Sequence, residues 1–236
     1  MTLELRFALG AAAFTAALSA APVCAHQGVG YNLRAIHVAH DTQGATLYMR
    51  LTLPLVVAGE LGSRREDGSY DPAPFTYNRI ESGKVYHYLD FTQLQNRGDE
   101  LGRKIAAGHE LRVDEAALTP EVIALRVHVK GAVPVFDRLE DAREAVRGPL
   151  MPLRQDEIDS GYVLVDVALR YVHKGGVSRY ALRSTLVPGE LGESTTRNVI
   201  WDHRGATTGV YEVRGLLNEA WVIDPVAETS RESKRD

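Results

Sequence analysis

Residues 161–187 read GYVLVDVALRYVHKGGVSRYALRSTLV and carry the clearest structural pattern in the chain. From Val163 to Tyr171 every second residue is apolar and Asp166 falls on the other side, which is the period of a β-strand. The glycine pair at 175–176 tolerates positive φ angles, and apolar residues alternate again behind it. The stretch therefore predicts a long β-hairpin with one buried face.

A second hairpin is predicted from residues 31–40 and 45–55, joined by a turn at 41–44. In its second strand, Leu47 and the apolar residues that follow at every other position alternate with polar ones, the pattern of a sheet with one face in water. Pro54 has no N–H to donate and is expected to end the ladder.

Short strands separated by turn residues recur along the chain, and only two brief helices are predicted, one ending at Ala107 and one over 137–146. The alternation of strands and helices typical of a parallel α/β sheet is absent. The pattern predicts a mainly β fold, an antiparallel β-sandwich with one or two short helices. We assign it to one domain over residues 26–226, followed by a disordered charged tail at 227–236.

The first 25 residues have the composition of a signal peptide. Arg6 precedes an apolar run over residues 7–21, and Val23 and Ala25 offer the compact side chains that signal peptidase accepts. The run is shorter than the roughly 20 residues that cross a bilayer, which favours cleavage after Ala25 over a retained anchor. The sequence thus predicts a periplasmic or secreted protein with no direct membrane span after cleavage.

Cysteine content and charge restrict the chemistry further. Cys24 is the only cysteine, and it lies inside the segment expected to be removed, so the mature chain would lack disulfides and thiolate metal sites. The formal net charge is −4, and basic residues do not form a stripe interleaved with aromatic ones. This composition argues against a nucleic-acid partner.

His26 is the sharpest metal-ligating candidate. Cleavage after Ala25 would give it a free amine beside its imidazole, and both groups can bind a metal. Exported copper proteins use such a terminus together with a second histidine. Our leading interpretation has no cofactor, and copper bound at His26 is its alternative, because further ligands would have to converge there.

The other histidines give weaker signals. His37 and His40 are three residues apart on a predicted strand and should point to opposite faces, so they would not share a metal. Asp202 and His203 are adjacent at a predicted turn and suggest a general-base pair, the basis of a third hypothesis, a hydrolase. Sequence motifs of the common hydrolases and nucleotide-binding loops are absent, and the chain favours a protein without catalytic activity.

Aromatic residues concentrate between residues 70 and 88, around a proline-containing loop. Aromatic side chains provide a large contact area at a low entropic cost, so this region is a candidate surface for a ligand or partner. Alternatively, these side chains hold the loop onto the sheet. The predicted surface consists of Tyr70, Phe75, Tyr77, Tyr86 and Tyr88.

Several segments together resemble a known group of proteins. They are the signal peptide with the histidine behind it, residues 45–54 (ATLYMRLTLP), residues 169–171 (LRY) and residues 198–204 (NVIWDHR). This organisation resembles the extracytoplasmic β-rich region of proteins related to hydrogenase and urease accessory permeases, which handle nickel. In that family the nickel ligands lie in the membrane part, so no metal-binding or catalytic residue carries over. The resemblance implies a non-catalytic accessory that works beside a membrane transport system, with a membrane protein or another periplasmic protein as its partner.

Overall fold

A computed structural model describes residues 32–62, 65–66, 71–129, 131–151, 157–187, 196–205 and 208–224. The predicted signal peptide, His26, Tyr70 and the charged tail lie outside these residues. The described residues are mainly strand, in agreement with the predicted class. The strands are β1 Asn32–Asp41, β2 Gly44–Thr52, β3 Thr76–Glu81, β4 Lys84–Leu89, β5 His109–Val113, β6 Ala116–Leu118, β7 Pro120–Val129, β8 Val163–Val172, β9 Tyr180–Ser184, β10 Thr196–His203, β11 Gly209–Arg214 and β12 Trp221–Ile223.

The helices are α1 Leu53–Val57, α2 Phe91–Ala107 and α3 Leu139–Ala145, and 3-10 turns cover Ala58–Glu60 and Ser160–Tyr162. α2 has 17 residues and ends at Ala107, as predicted. It begins where the Asp90 side chain accepts a hydrogen bond from the backbone N–H of Gln93, and Arg97 interrupts its helical dihedral angles. In the part of the chain that the structure describes, no helix is both long and apolar enough to cross a membrane.

The strands form a six-stranded sheet in the order β11-β10-β1-β2-β8-β7, a four-stranded sheet in the order β12-β9-β5-β6, and the separate hairpin β3-β4. Most neighbours are antiparallel, as predicted, but β1 and β10 pair in parallel. The predicted hairpin over residues 31–55 is confirmed, with Asp41 opposite Gly44 at its turn. Pro54 lies in the first turn of α1, directly after the ladder ends at Thr52.

The predicted hairpin over 161–187 is wrong in its pairing. β8 lies in the six-stranded sheet between β2 and β7, whereas β9 lies in the four-stranded sheet between β5 and β12. Both edges of β8 are therefore occupied before the chain turns. The turn at Gly175 and Gly176, both with positive φ, carries the chain from one sheet to the other.

One apolar cluster joins the inner face of the six-stranded sheet to the second sheet and to α2. The inner residues of β8, from Val163 to Tyr171, are fully buried in it, and Leu101 of α2 and Leu182 of β9 belong to the same cluster. The core therefore lies between the layers, as in a sandwich.

The outer face of the six-stranded sheet is buried along β2, which corrects the prediction of a wet face on that strand. α3 and the segment with Phe136 cover it, so Thr46, Arg50 and Thr52 are at most 8% exposed. Two buried charges meet there, because Arg50 donates to both oxygens of Asp166 over 2.8 and 2.7 Å. The polar side chains of β2 therefore contact polar partners beneath α3 and Phe136 instead of water.

Candidate functional site

The aromatic surface predicted from the sequence is partly assembled by the β3-β4 hairpin. Tyr77 and Tyr88 are directly opposite each other, and their rings stack with centroids 5.6 Å apart. Tyr86 is opposite Arg79 and shares this face, since every second residue of a strand points the same way. We name this side of the hairpin the tyrosine face, which consists of Tyr77, Arg79, Glu81, Lys84, Tyr86 and Tyr88.

The tyrosine face is open to solvent, whereas the opposite side of the hairpin enters the core at its base. The three tyrosines are partly exposed, and the side chains of Arg79 and Glu81 are 50% and 41% exposed. Thr76 and Leu89, on the opposite side, are buried. The hairpin therefore presents its aromatic side outward.

Acidic groups hold the tyrosine hydroxyls. Tyr88 donates to Glu81 over 2.9 Å and Tyr77 donates to Glu157 over 3.3 Å, while Arg79 forms an ion pair with Glu157. The hydrogen bond to Glu81 and partial burial raise the pKa of Tyr88. Burial and the neighbouring Glu157 carboxylate raise the pKa of Tyr77. Both phenols therefore stay neutral donors, each with a carboxylate as its acceptor.

Phe75 does not contribute to the tyrosine face. It is 2% exposed and has a positive φ of 63°. Its backbone N–H donates to the Gln93 side chain over 3.1 Å, and its carbonyl accepts from Asp90 over 2.8 Å, which ties the start of β3 to the start of α2. Phe75 therefore helps to hold the loop in place, which is the alternative to a binding role for this aromatic region. Tyr70 lies outside the described residues.

A polar cluster that the sequence did not reveal lies where β1 and β10 run side by side. His40 Nε2 lies 2.8 Å from Asp202 Oδ1. Tyr180 and Arg204 both donate to Asp202 Oδ2, over 3.0 and 2.6 Å. Burial alone would raise the pKa of Asp202, but the contacts with His40 and Arg204 outweigh it and hold this pKa below its usual value.

An open cavity of about 370 Å³ lies beside this cluster and is lined in part by His40 and Arg204. His40 lies next to the Asp202 carboxylate, as a catalytic histidine lies next to its carboxylate, but neither ring nitrogen of His40 has a hydrogen-bond partner among the described residues. The described residues therefore place no hydrogen-bonded nucleophile on this imidazole.

Asp202 and His203 do not form the pair that the sequence suggested. Both lie in β10 rather than in a turn, so their side chains point to opposite faces of the sheet. His203 Nε2 is 2.8 Å from His37 Nδ1 on the outer face, whereas Asp202 contacts His40 on the inner face. The same alternation places His37 and His40 on opposite faces of the sheet, as predicted.

The outer histidines form a hydrogen-bonded chain whose direction is set at its buried end. The Phe136 carbonyl can only accept, so His37 Nε2 donates to it over 3.0 Å and His37 Nδ1 accepts from His203. His203 Nδ1 then accepts from the Thr208 hydroxyl over 3.2 Å. Trp201 stacks on His37 with ring centroids 4.4 Å apart. Burial lowers the pKa of His37 to about 4 and keeps the imidazole neutral.

Metal binding at His26 is not addressed by these contacts, because that residue lies outside the described part of the chain. Within the described ranges, no three histidine, aspartate, glutamate or cysteine residues form a group that could hold a metal ion. Copper binding at a free terminus therefore stays a prediction.

Comparisons with known proteins do not identify a family. No family model, curated protein or solved structure matches the chain. The resemblance to the β-rich region of accessory permeases accordingly stays a prediction.

Proposed function

We propose that the protein is a non-catalytic binding protein exported from the cytoplasm, and that the tyrosine face holds a protein partner as an accessory to a membrane transport system. The observation that carries this proposal is the stacked pair Tyr77–Tyr88 with Tyr86 on the same outward side of one hairpin. Tyrosine and arginine are over-represented among the residues that dominate binding energy at protein interfaces.

The tyrosine face is prepared for binding before a partner arrives. Glu81 and Glu157 hold the hydroxyls of Tyr88 and Tyr77, so little side-chain freedom is left to lose on association. An immobilised flexible side chain otherwise costs about 0.5–1.5 kcal/mol. Preorganised rings therefore favour affinity.

The size and charge of the face suit the centre of an interface. Strands of six residues extend about 20 Å, and a partner surface of about 800 Å² would reach beyond the two strands. Arg79, Lys84, Glu81 and Glu157 surround the rings with both signs of charge. This distribution favours a partner with a mixed polar rim over a uniformly charged polymer.

Export is supported by the composition of residues 1–25 and the compact residues at the expected cleavage site.

Site-specific photo-crosslinking in cells that make the protein tests the proposal. A photoreactive phenylalanine analogue at Tyr86 is expected to give one discrete adduct in the cell-envelope fraction. The matched control carries the analogue at Val172, which is 61% exposed at the end of β8. Adducts that are identical from both positions, or their absence from Tyr86, would refute the proposal.

A further inference from the structure

A second open cavity, of about 580 Å³, lies on the outer face of the six-stranded sheet, where β2, β8 and β7 meet the C-terminal end of α3. Pockets that bind small molecules typically have volumes of about 300–1,000 Å³, so the space suits a ligand of that class. The cavity shares no residue with the tyrosine face or with the cluster around Asp202.

The floor of this cavity is a row of cross-strand neighbours. Tyr48 of β2 is opposite Ala168 of β8, and Ala168 is opposite Ala124 of β7. Neighbouring strands lie about 4.8 Å apart, so the row spans about 10 Å. Tyr48 is partly exposed although the rest of the outer face of β2 is buried, because the two alanines beside it leave the adjoining space open.

Apolar side chains also form the walls. The register of β7 with β8 shifts between Val122 and Ala124, and this bulge takes Ile123 out of the ladder. Bulges are known to re-aim a side chain next to a functional site. Ile123 is 51% exposed and lines the cavity, as does Val146 directly after α3. An apolar ligand would therefore remove exposed hydrocarbon surface from water, which is favourable.

Both charged residues that line the cavity are arginines, Arg143 and Arg147. Arg147 donates to the Glu144 carboxylate over 2.9 Å. Arg143 forms no ion pair with a carboxylate of the described residues, and its guanidinium lies 5.9 Å from the centre of the Tyr48 ring. A guanidinium can bind both oxygens of one carboxylate. The cavity thus combines an apolar floor with an available cation at its edge.

The edge of β7 favours a small molecule over a peptide that would add a strand. The bulge at Ile123 interrupts the ladder, and bulges blunt the edges of sheets against such pairing. Farther along the edge, the backbone N–H of Val127 already donates to the Leu150 carbonyl over 2.6 Å. An extended peptide would find few free backbone partners there.

We propose that this cavity binds one medium-chain alkanoate, with its carboxylate on Arg143 and its hydrocarbon chain over Ala124 and Ala168 against Ile123. The guanidinium selects for the anionic group, and the apolar floor selects for the chain. An inorganic anion would leave the floor in water, and a neutral amphiphile would leave Arg143 without its counter-charge.

Titration calorimetry of the full protein with sodium octanoate tests the site. It is carried out at two temperatures, because burial of apolar surface makes the binding heat depend on temperature. One octanoate is expected to bind per chain. Octanamide, which has the same chain without the charge, and acetate, which has the charge without the chain, are each expected to bind at least tenfold more weakly.

Variants locate the site. Arg143→Gln is expected to weaken octanoate binding at least tenfold and to leave octanamide binding unchanged. Ala124→Leu fills the floor and is expected to weaken both ligands. The matched control is Arg103→Gln, which removes a 65% exposed arginine of α2 that does not line the cavity, and it is expected to bind octanoate as the wild type does.

Absence of saturable heat with octanoate at both temperatures would overturn the site. Equal affinities of the wild type and Arg143→Gln for octanoate, or equal affinities of the wild type for octanoate and octanamide, would overturn it as well. Arg143 is exposed, so its replacement is expected to leave the fold intact, which circular dichroism checks.

Discussion

Replacement of Asp166 by asparagine should break the buried charge pair beneath α3 while preserving the volume of the side chain. Asp166 is 0% exposed and accepts two hydrogen bonds from Arg50, and His128 Nε2 lies 2.9 Å away. Arg50 also donates to the Pro134 carbonyl over 2.8 Å, and its guanidinium lies 4.3 Å from the centre of the Phe136 ring. In Asp166→Asn the guanidinium stays buried without an anion.

Removal of one member of a buried ion pair typically costs about 3–5 kcal/mol of unfolding free energy. With a urea dependence of about 2–3 kcal/mol per molar, the midpoint of urea unfolding should fall by about 1–2 M. The fluorescence of the two tryptophans and far-ultraviolet circular dichroism follow the transition.

The double variant Arg50→Met and Asp166→Asn should recover at least half of this loss, because the uncompensated charge is gone. Glu144→Gln is the matched control, since the Glu144–Arg147 pair is 70% and 72% exposed and the change should cost less than about 1 kcal/mol. A loss of stability in Asp166→Asn as small as in this control, or a double variant no more stable than Asp166→Asn, would refute the role of the buried ion pair.

Three further outcomes are expected. His37 and His109 have pKa values lowered by burial to about 4 and about 3, so the unfolded chain binds protons below about pH 6.5 and the folded chain does not. The unfolding free energy that is present above pH 6.5 is therefore lost as the pH falls towards 4, and His37 accounts for up to about 3 kcal/mol of this loss. If the unfolding free energy of His37→Gln depends on pH as steeply as that of the wild type, this prediction is wrong. Gly44→Ala places a Cβ 2.0 Å from the Tyr171 carbonyl at a φ of 141°, whereas a Cβ at Gly83, with φ 74°, contacts no other atom. Calorimetry should therefore show that Gly44→Ala is less stable than Gly83→Ala by at least about 2 kcal/mol. Equal losses of stability in the two variants would refute this prediction. If the terminus at His26 binds Cu(II), one extra residue before it should weaken the copper affinity at least tenfold in a titration, and equal weak binding by both forms would exclude that alternative.

The sequence predicted those structural features that depend on residues close together in the chain. The β1-β2 hairpin follows from alternation on both sides of a short turn, and Pro54 lies just beyond the ladder for the reason expected. Strand parity also predicted that His37 and His40 diverge.

The wrong predictions concern contacts between segments that are far apart in the chain. Alternation identifies β8 and β9 as strands, but it does not encode which strand each one pairs with, and the two strands belong to different sheets. The polar residues of β2 read as a wet face because the cover, α3 and Phe136, comes about 90 residues later in the chain.

The same limit applies to the candidate sites. The contact of His40 with Asp202 depends on the parallel pairing of β1 with β10, which joins segments more than 150 residues apart. The sequence predicts a turn at Asp202 and His203, whereas both lie in β10, where strand alternation separates their side chains. Composition identifies the aromatic residues of this region, but it does not show that Phe75, which precedes β3, is buried while the tyrosines stay partly exposed.

The proposed function requires that the tyrosine face carries the binding energy for a protein partner. The test is the dissociation constant of the partner that crosslinking recovers. It is measured with the purified wild type and with the double variant Tyr77→Ser and Tyr88→Ser, whose circular dichroism spectrum must match that of the wild type. Loss of residues that dominate an interface costs more than about 2 kcal/mol, so the dissociation constant should rise at least about thirtyfold. An unchanged dissociation constant would contradict the account.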